Sequence, residues 1–177
     1  MSSEVSDSWL SFIVQLVATL IGAFVGFGLV IVWDRKQKKK ALQETRISVI
    51  NSIKQELEEN QKGLEFMIKN MPSWSNTEGR FTGDFGLAST PAFESAVGGG
   101  DFLLLPKDLQ QPVREIYHNF NLFNEFMTDI IRFSSFHFSP EHASKEANNL
   151  RNRIQERINI LRPALNELLP KLESHLK

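Results

Sequence analysis

Cysteine is missing from all 177 residues, which excludes disulfides, thiolate metal sites and cysteine nucleophiles together. Positive charge is missing from the whole N-terminal part, where every Lys and Arg lies at Arg35 or beyond it. Charge of either sign is missing from Leu10 to Trp33, a run of 24 residues. The short patterns that carry familiar chemistry are missing too: there is no Gly-x-Ser-x-Gly elbow, no His-Glu-x-x-His helix and no EF-hand loop. Asp84-Phe85-Gly86 copies the metal-binding tripeptide of kinases, but without a His-Arg-Asp loop or a Gly-rich phosphate loop it is a coincidence. Gly98-Gly99-Gly100 lack the Lys and Ser/Thr of a P-loop and precede Asp101, so they read as a turn. These absences predict a chain that is not an enzyme, with no catalytic residue, no metal and no cofactor.

What is present begins with the uncharged run itself. At about 1.5 Å per residue, a helix over residues 10–33 reaches roughly 36 Å, enough to cross a hydrocarbon core of about 30 Å with some tilt. The start Met1 to Trp9 lacks the basic region and cleavage site of a signal peptide, so the run is expected to be retained as an anchor. Residues 1–9 carry only Glu4 and Asp7, whereas residues 34–40 hold Arg35, Lys36, Lys38, Lys39 and Lys40. The positive-inside bias then places the N-terminus outside and everything after Trp33 in the cytoplasm, at the plasma (inner) membrane. Trp9 and Trp33 bracket the span at the two interfaces. The five cations serve as a topology signal, and also as candidate ligands for the headgroups of membrane lipid. Nucleic acid is not an expected partner, since 20 basic residues face 19 acidic ones from Asp34 onward.

Within the span Ser11, Gln15, Ala18, Thr19, Gly22 and Gly26 follow steps of three and four and share one helix face. Gly22-Ala-Phe-Val-Gly26 is a small-xxx-small pattern, which makes Ala18, Gly22 and Gly26 candidates for packing a second span closely. The plainer reading is that glycine is common in spans.

Residues 41–177 suit one helical domain. Ile50, Ile53, Leu57, Leu64, Met67 and Met71, with Asn60 in the seam, predict an amphipathic helix over 41–71 that nothing separates from the span. Leu109, Val113, Ile116, Phe120, Phe123, Met127 and Ile130 are spaced 4, 3, 4, 3, 4, 3, a coiled-coil-like seam between Pro106 and Phe133. Ser139-Pro140 opens a third helix through Ala143, Ala147, Leu150, Ile154, Ile158 and Leu161, which Pro163 and Pro170 are expected to kink or interrupt. No run alternates as a strand would. The predicted fold is therefore all-α: one transmembrane helix followed by an antiparallel cytoplasmic bundle. Between its first two helices, residues 72–105 form an aromatic, Gly-rich insertion in which Thr90-Pro91 starts a short helix and Gly98 to Gly100 end it. The aromatics there argue for a hydrophobic plug over the bundle, with a ligand or partner surface at Trp74, Arg80 and Phe85 as the other reading. His137, Glu141 and His142 are too loosely spaced for a zinc site and read as a solvated turn, and His118 falls between seam positions and should face solvent.

Glu56-Leu-Glu-Glu-Asn60, Trp74, Thr90-Pro-Ala-Phe-Glu94, Gly98, Leu105-Pro106, Leu109, Ile116-Tyr117, Asn121 and Asn124 form a pattern over residues 50–125. In it the chain resembles a diffuse group of prokaryotic proteins with an N-terminal span and a cytoplasmic helical domain, some of which look like phage-defence components. The resemblance implies the same fold and no catalytic residues. Three functions are compatible with the sequence. One is a tether or adaptor that binds another protein at the cytoplasmic face. Another is a membrane effector that self-associates through its spans, in phage defence as the resemblance implies. The third is a small-molecule sensor built on the 72–105 region.

Overall fold

The computed structural model describes the backbone of residues 3–70, 86–134 and 140–177, with side chains over 12–70, 86–129, 148–149 and 151–177. The described residues form four helices, α1 (Ser3–Asn70), α2 (Pro91–Gly98), α3 (Lys107–Ser134) and α4 (Pro140–Ser174), with a 3₁₀ turn at Asp101–Leu104. No strand occurs among the described residues, so the fold is all-α as expected. Contacts divide the chain into two units, Met1–Glu44 and Thr45–Lys177.

In the first unit no residue from Phe12 to Glu44 is buried. Phe24, Phe27 and Leu29 are 76%, 69% and 66% exposed. Each such side chain gains about 1.5–3 kcal/mol on leaving water, so a whole run of them is costly to leave in water. This is a helix long and apolar enough to cross a membrane. Its hydroxyl at Thr19 donates to the Gln15 carbonyl at 2.8 Å, which satisfies the group inside the helix.

The second unit has one hydrophobic cluster. α1 contributes Ile50, Ile53, Leu57, Leu64 and Met67, as its periodicity predicts. α3 contributes the predicted Leu109, Val113, Ile116, Phe120, Phe123 and Met127, and also Tyr117, which the seam spacing leaves out. α4 adds Ile154, Ile158, Leu161, Leu165, Leu168 and Leu172. Ala96, Phe102 and Leu105 complete it from the segment before α3.

Two expectations are corrected. Pro163 and Pro170 do not interrupt α4, which runs unbroken from Pro140 to Ser174. Both prolines are exposed, so each lost backbone bond faces solvent. The cost of about 3 kcal/mol per proline is offset by burial of Leu161, Leu165, Leu168 and Leu172 at about 1.5–3 kcal/mol each. The second correction concerns direction. His175 near the end of α4 meets Asp108 at the start of α3, and Arg153 lies over the Phe126 ring at 4.8 Å, so α3 and α4 run in opposite directions. Glu56 of α1, however, meets Tyr117 of α3, and Asn60 reaches the same short segment as Asn124, so α1 and α3 run the same way. The reason is the return path: Ala88 lies level with Asn60 and Asn124, Ala92 level with Glu56, and α3 starts only at Lys107.

The turn at the start of this return ends as predicted. Gly99 follows α2, and Gly100 takes φ +80°, a left-handed conformation that a side chain would strain. Pro106 then supplies the carbonyl that accepts the Leu109 N–H at 2.9 Å and the Gln110 N–H at 3.2 Å, opening α3.

Asp108 and His175 are hydrogen-bonded at 3.0 Å, which ties the start of α3 to the end of α4. The hydrogen bond from His175 holds the Asp108 carboxyl below its ordinary value of 3.8. A depressed folded value contributes stability above the unfolded value and loses it as the pH falls through the folded one. The expected outcome is that Asp108→Asn lowers the Tm where the carboxyl is ionised, above its ordinary value of 3.8, and that the difference from the parent chain shrinks as the pH falls through the lowered folded value, as read by circular dichroism melts across pH.

Candidate functional site

Glu56 and Asn60 stand one turn apart on the core-facing side of α1, both buried, at 5% and 6% exposure, in a seam otherwise made of Ile and Leu. A carboxylate and an amide in such a place must be fully hydrogen-bonded to be tolerated. The groups that bond them come from the irregular segment at residues 86–90, the start of α2, and α3.

Asn60 treats Ser89 as a neighbouring strand would. Its Nδ2 donates to the Ser89 carbonyl at 2.8 Å and its Oδ1 accepts the Ser89 N–H at 2.7 Å. Asn124 of α3 does the same to the preceding residue, Nδ2 donating to the Ala88 carbonyl at 2.9 Å and Oδ1 accepting the Ala88 N–H at 2.8 Å. Only a primary amide offers a donor and an acceptor in that fork. Two asparagines on two helices thereby satisfy the backbone of a segment that has no sheet or helix of its own.

Glu56 closes the arrangement. Its Oε2 accepts the backbone N–H of Ala92 at 2.7 Å, inside the first turn of α2, with the Ser89 hydroxyl at 3.5 Å. Its Oε1 accepts the Tyr117 hydroxyl at 2.5 Å. Thr90 occupies the N-cap position of α2 as predicted, but its side chain makes no capping bond and donates to Glu94 Oε1 at 2.7 Å. Glu56 of another helix takes over that capping role, with its charge at the positive end of the α2 dipole. Burial, and then the bond to Glu56, push the Tyr117 hydroxyl far above its ordinary value, so it stays protonated and donating. Its ring stacks on Phe93 at 4.3 Å and 9°, and Phe93 meets Phe102 edge-on at 5.6 Å. Arg114 covers the far side of that stack, 5.5 Å from the Phe102 ring.

Beside this clasp lies a cavity of about 210 Å³, lined by Asn60, Gly63, Leu64, Met67, Ser89 and Phe123 among others. It is smaller than the roughly 300 Å³ at which sites for drug-sized ligands begin. Both oxygens of Glu56 and both asparagine amides are taken up by groups of the chain itself. The chemistry of this cluster is therefore positional: it locks the 86–92 segment between α1 and α3.

The residues singled out by sequence fall elsewhere. Trp74, Arg80, Phe85 and His137 lie outside the described residues, as do the side chains of Glu141 and His142. Among the described residues no group of His, Asp or Glu is placed to hold a metal. His118 is exposed, as expected. Arg35, Lys36, Lys38, Lys39 and Lys40 all lie exposed on α1, where Lys38 pairs with Asp34 at 2.7 Å and Lys40 with Glu44 at 3.8 Å. Ala18, Gly22 and Gly26 are exposed, with open space where a Cβ would stand on either glycine. The clasp itself went unrecognised in the sequence, although its signal was there: Glu56 and Asn60 are polar at a spacing of four in an apolar seam, and Tyr117 and Asn124 are polar at a spacing of seven.

Removing one partner of the clasp leaves buried groups without a bond, at about 1–3 kcal/mol each. Glu56→Ala should cost the most, since it strands both the Tyr117 hydroxyl and the Ala92 N–H, and Tyr117→Phe should cost less. Chemical denaturation of the two single variants and the double variant should give a coupling of roughly 1–3 kcal/mol. Additive losses would mean that the pair does not interact.

Compared with family models, curated proteins and solved structures, the chain gave no match.

Proposed function

We propose that this chain is a membrane-anchored, non-enzymatic interaction protein, a tether or adaptor that holds a partner protein at the cytoplasmic face of the inner membrane. The observation that carries it is the pairing of an exposed, uncharged helix with a cationic segment immediately after it and no cation before it. In this reading residues 10–33 span the bilayer, residues 1–9 lie outside, and residues 41–177 form a cytoplasmic helical bundle. The clasp supports it, since interior polar groups spent on fixing a backbone segment suit a rigid binding surface. Large apolar side chains remain outside the core, Leu103 at 74%, Phe66 at 57% and Val97 at 51% exposure, and they are candidates for the partner's footprint.

The absence of native cysteine makes the orientation directly testable. Ser3→Cys should be labelled in intact cells by a membrane-impermeant maleimide, and Ser174→Cys only after the membrane is opened. The opposite pattern would overturn the topology.

A second reading is an effector that assembles through its spans, as the resemblance to phage-defence components implies. It is favoured by the open face at Gly22 and Gly26. In-cell crosslinking of the tagged full chain, with mass spectrometry of everything recovered from solubilised membranes, separates the two. A dominant heterologous partner is the outcome expected for an adaptor. Self-crosslinks alone, lost on Gly22→Ile with Gly26→Ile, would replace that reading with the assembling effector.

A further inference from the structure

The core-facing stripe of α1 is flanked by a glycine that no neighbour explains. Asn60, Leu64 and Met67 are buried at the i, i+4, i+7 spacing, and Gly63 stands beside them. Glycine inside a helix costs stability relative to alanine, and a left-handed backbone or a close approach is the usual reason for it. Gly63 has neither. Its φ is not positive, and among the described residues no heavy atom stands within 4 Å of where a Cβ would be.

The space beside Gly63 belongs to the cavity of about 210 Å³ next to the clasp. Leu64 and Met67 of α1 face Phe123 of α3 across it, and Ala88 and Ser89 close a third side. The Asn60 amide offers a ligand little, since the Ser89 N–H and carbonyl take up its oxygen and its nitrogen. What remains is carbon, one thioether and one ring. A cavity of about 150 Å³ with walls of Leu, Ile and Phe takes up benzene, so this larger volume suits a molecule of one or two rings. The Met67 sulfur and the Phe123 ring favour an aromatic occupant over an alkyl one. Glu59 is the one ionisable residue of the lining; it is exposed, and its charge at the rim disfavours an anion.

We infer that this cavity is a binding site for a small, uncharged aromatic molecule, seated between α1 and α3 against Met67 and Phe123. The inference goes beyond the tether reading and does not depend on it, and it uses none of Trp74, Arg80 and Phe85. A ligand there touches Ala88 and Ser89, the two residues that Asn124 and Asn60 hold, so its binding tightens the same segment that the clasp fixes.

The test titrates indole into the full chain reconstituted in phosphatidylcholine vesicles and follows backbone hydrogen exchange of residues 86–92 by mass spectrometry. Exchange there should slow roughly tenfold once free indole is about ten times its Kd. Gly63→Leu puts a side chain into the cavity. It should raise the Tm, because leucine favours a helix more than glycine does, and abolish the slowing. Gly63→Ala shares the helical gain but keeps most of the volume, and should slow as the parent chain does. No slowing of the parent chain at millimolar indole would overturn the proposal. So would equal slowing in Gly63→Leu, loss of the slowing in Gly63→Ala, or equal slowing by benzoate.

Discussion

A single buried carboxylate organises the second unit. Glu56 sits on α1, caps α2 and receives the hydroxyl of Tyr117 on α3, so three elements share one charged group. Charge-assisted bonds of this kind are about twice as strong as neutral ones, and in a desolvated seam the alternative is an orphaned charge. The carboxylate therefore does more than add stability. It sets the register between α1 and α3, because a slip along either helix would separate Glu56 from the Tyr117 hydroxyl.

The two asparagines extend that logic to the connecting chain. Residues 86–90 have no regular structure and cannot bond to themselves, yet they cross the interior side of two helices. Asn60 and Asn124 supply the missing donors and acceptors and turn a loop into a fixed layer. On that layer Phe93 reaches the Tyr117 ring, and the stack through Phe102 closes the cluster. The return path that this segment follows is also why α1 and α3 run the same way.

The first unit obeys a different constraint. From Phe12 to Trp33 every side chain is exposed, and the helix is long and apolar enough to cross a membrane. Immediately beyond, Lys38 pairs with Asp34 at 2.7 Å and Lys40 with Glu44 at 3.8 Å.

Much of this was legible in residue order. Period and spacing placed α3 to within a residue of its observed ends, picked the buried positions of Ile50, Ile53 and Leu57, and located the short helix between Thr90 and Gly98, because burial on one face is a property of a single helix. The continuity of α4 through Pro163 and Pro170 was not legible, since a local rule about proline cannot weigh four leucines buried against other helices. Nor was the clasp, because Glu56, Ser89, Ala92, Tyr117 and Asn124 are far apart in sequence and their hydrogen bonds exist only once the helices have met. The sequence by itself determined the helical class, the apolar run and the charge asymmetry that follows it, which are matters of composition and local periodicity. The tertiary structure alone decided the shared direction of α1 and α3 and the partners of Glu56, Asn60 and Tyr117, because pairing across roughly 30 to 60 residues depends on which surfaces pack together.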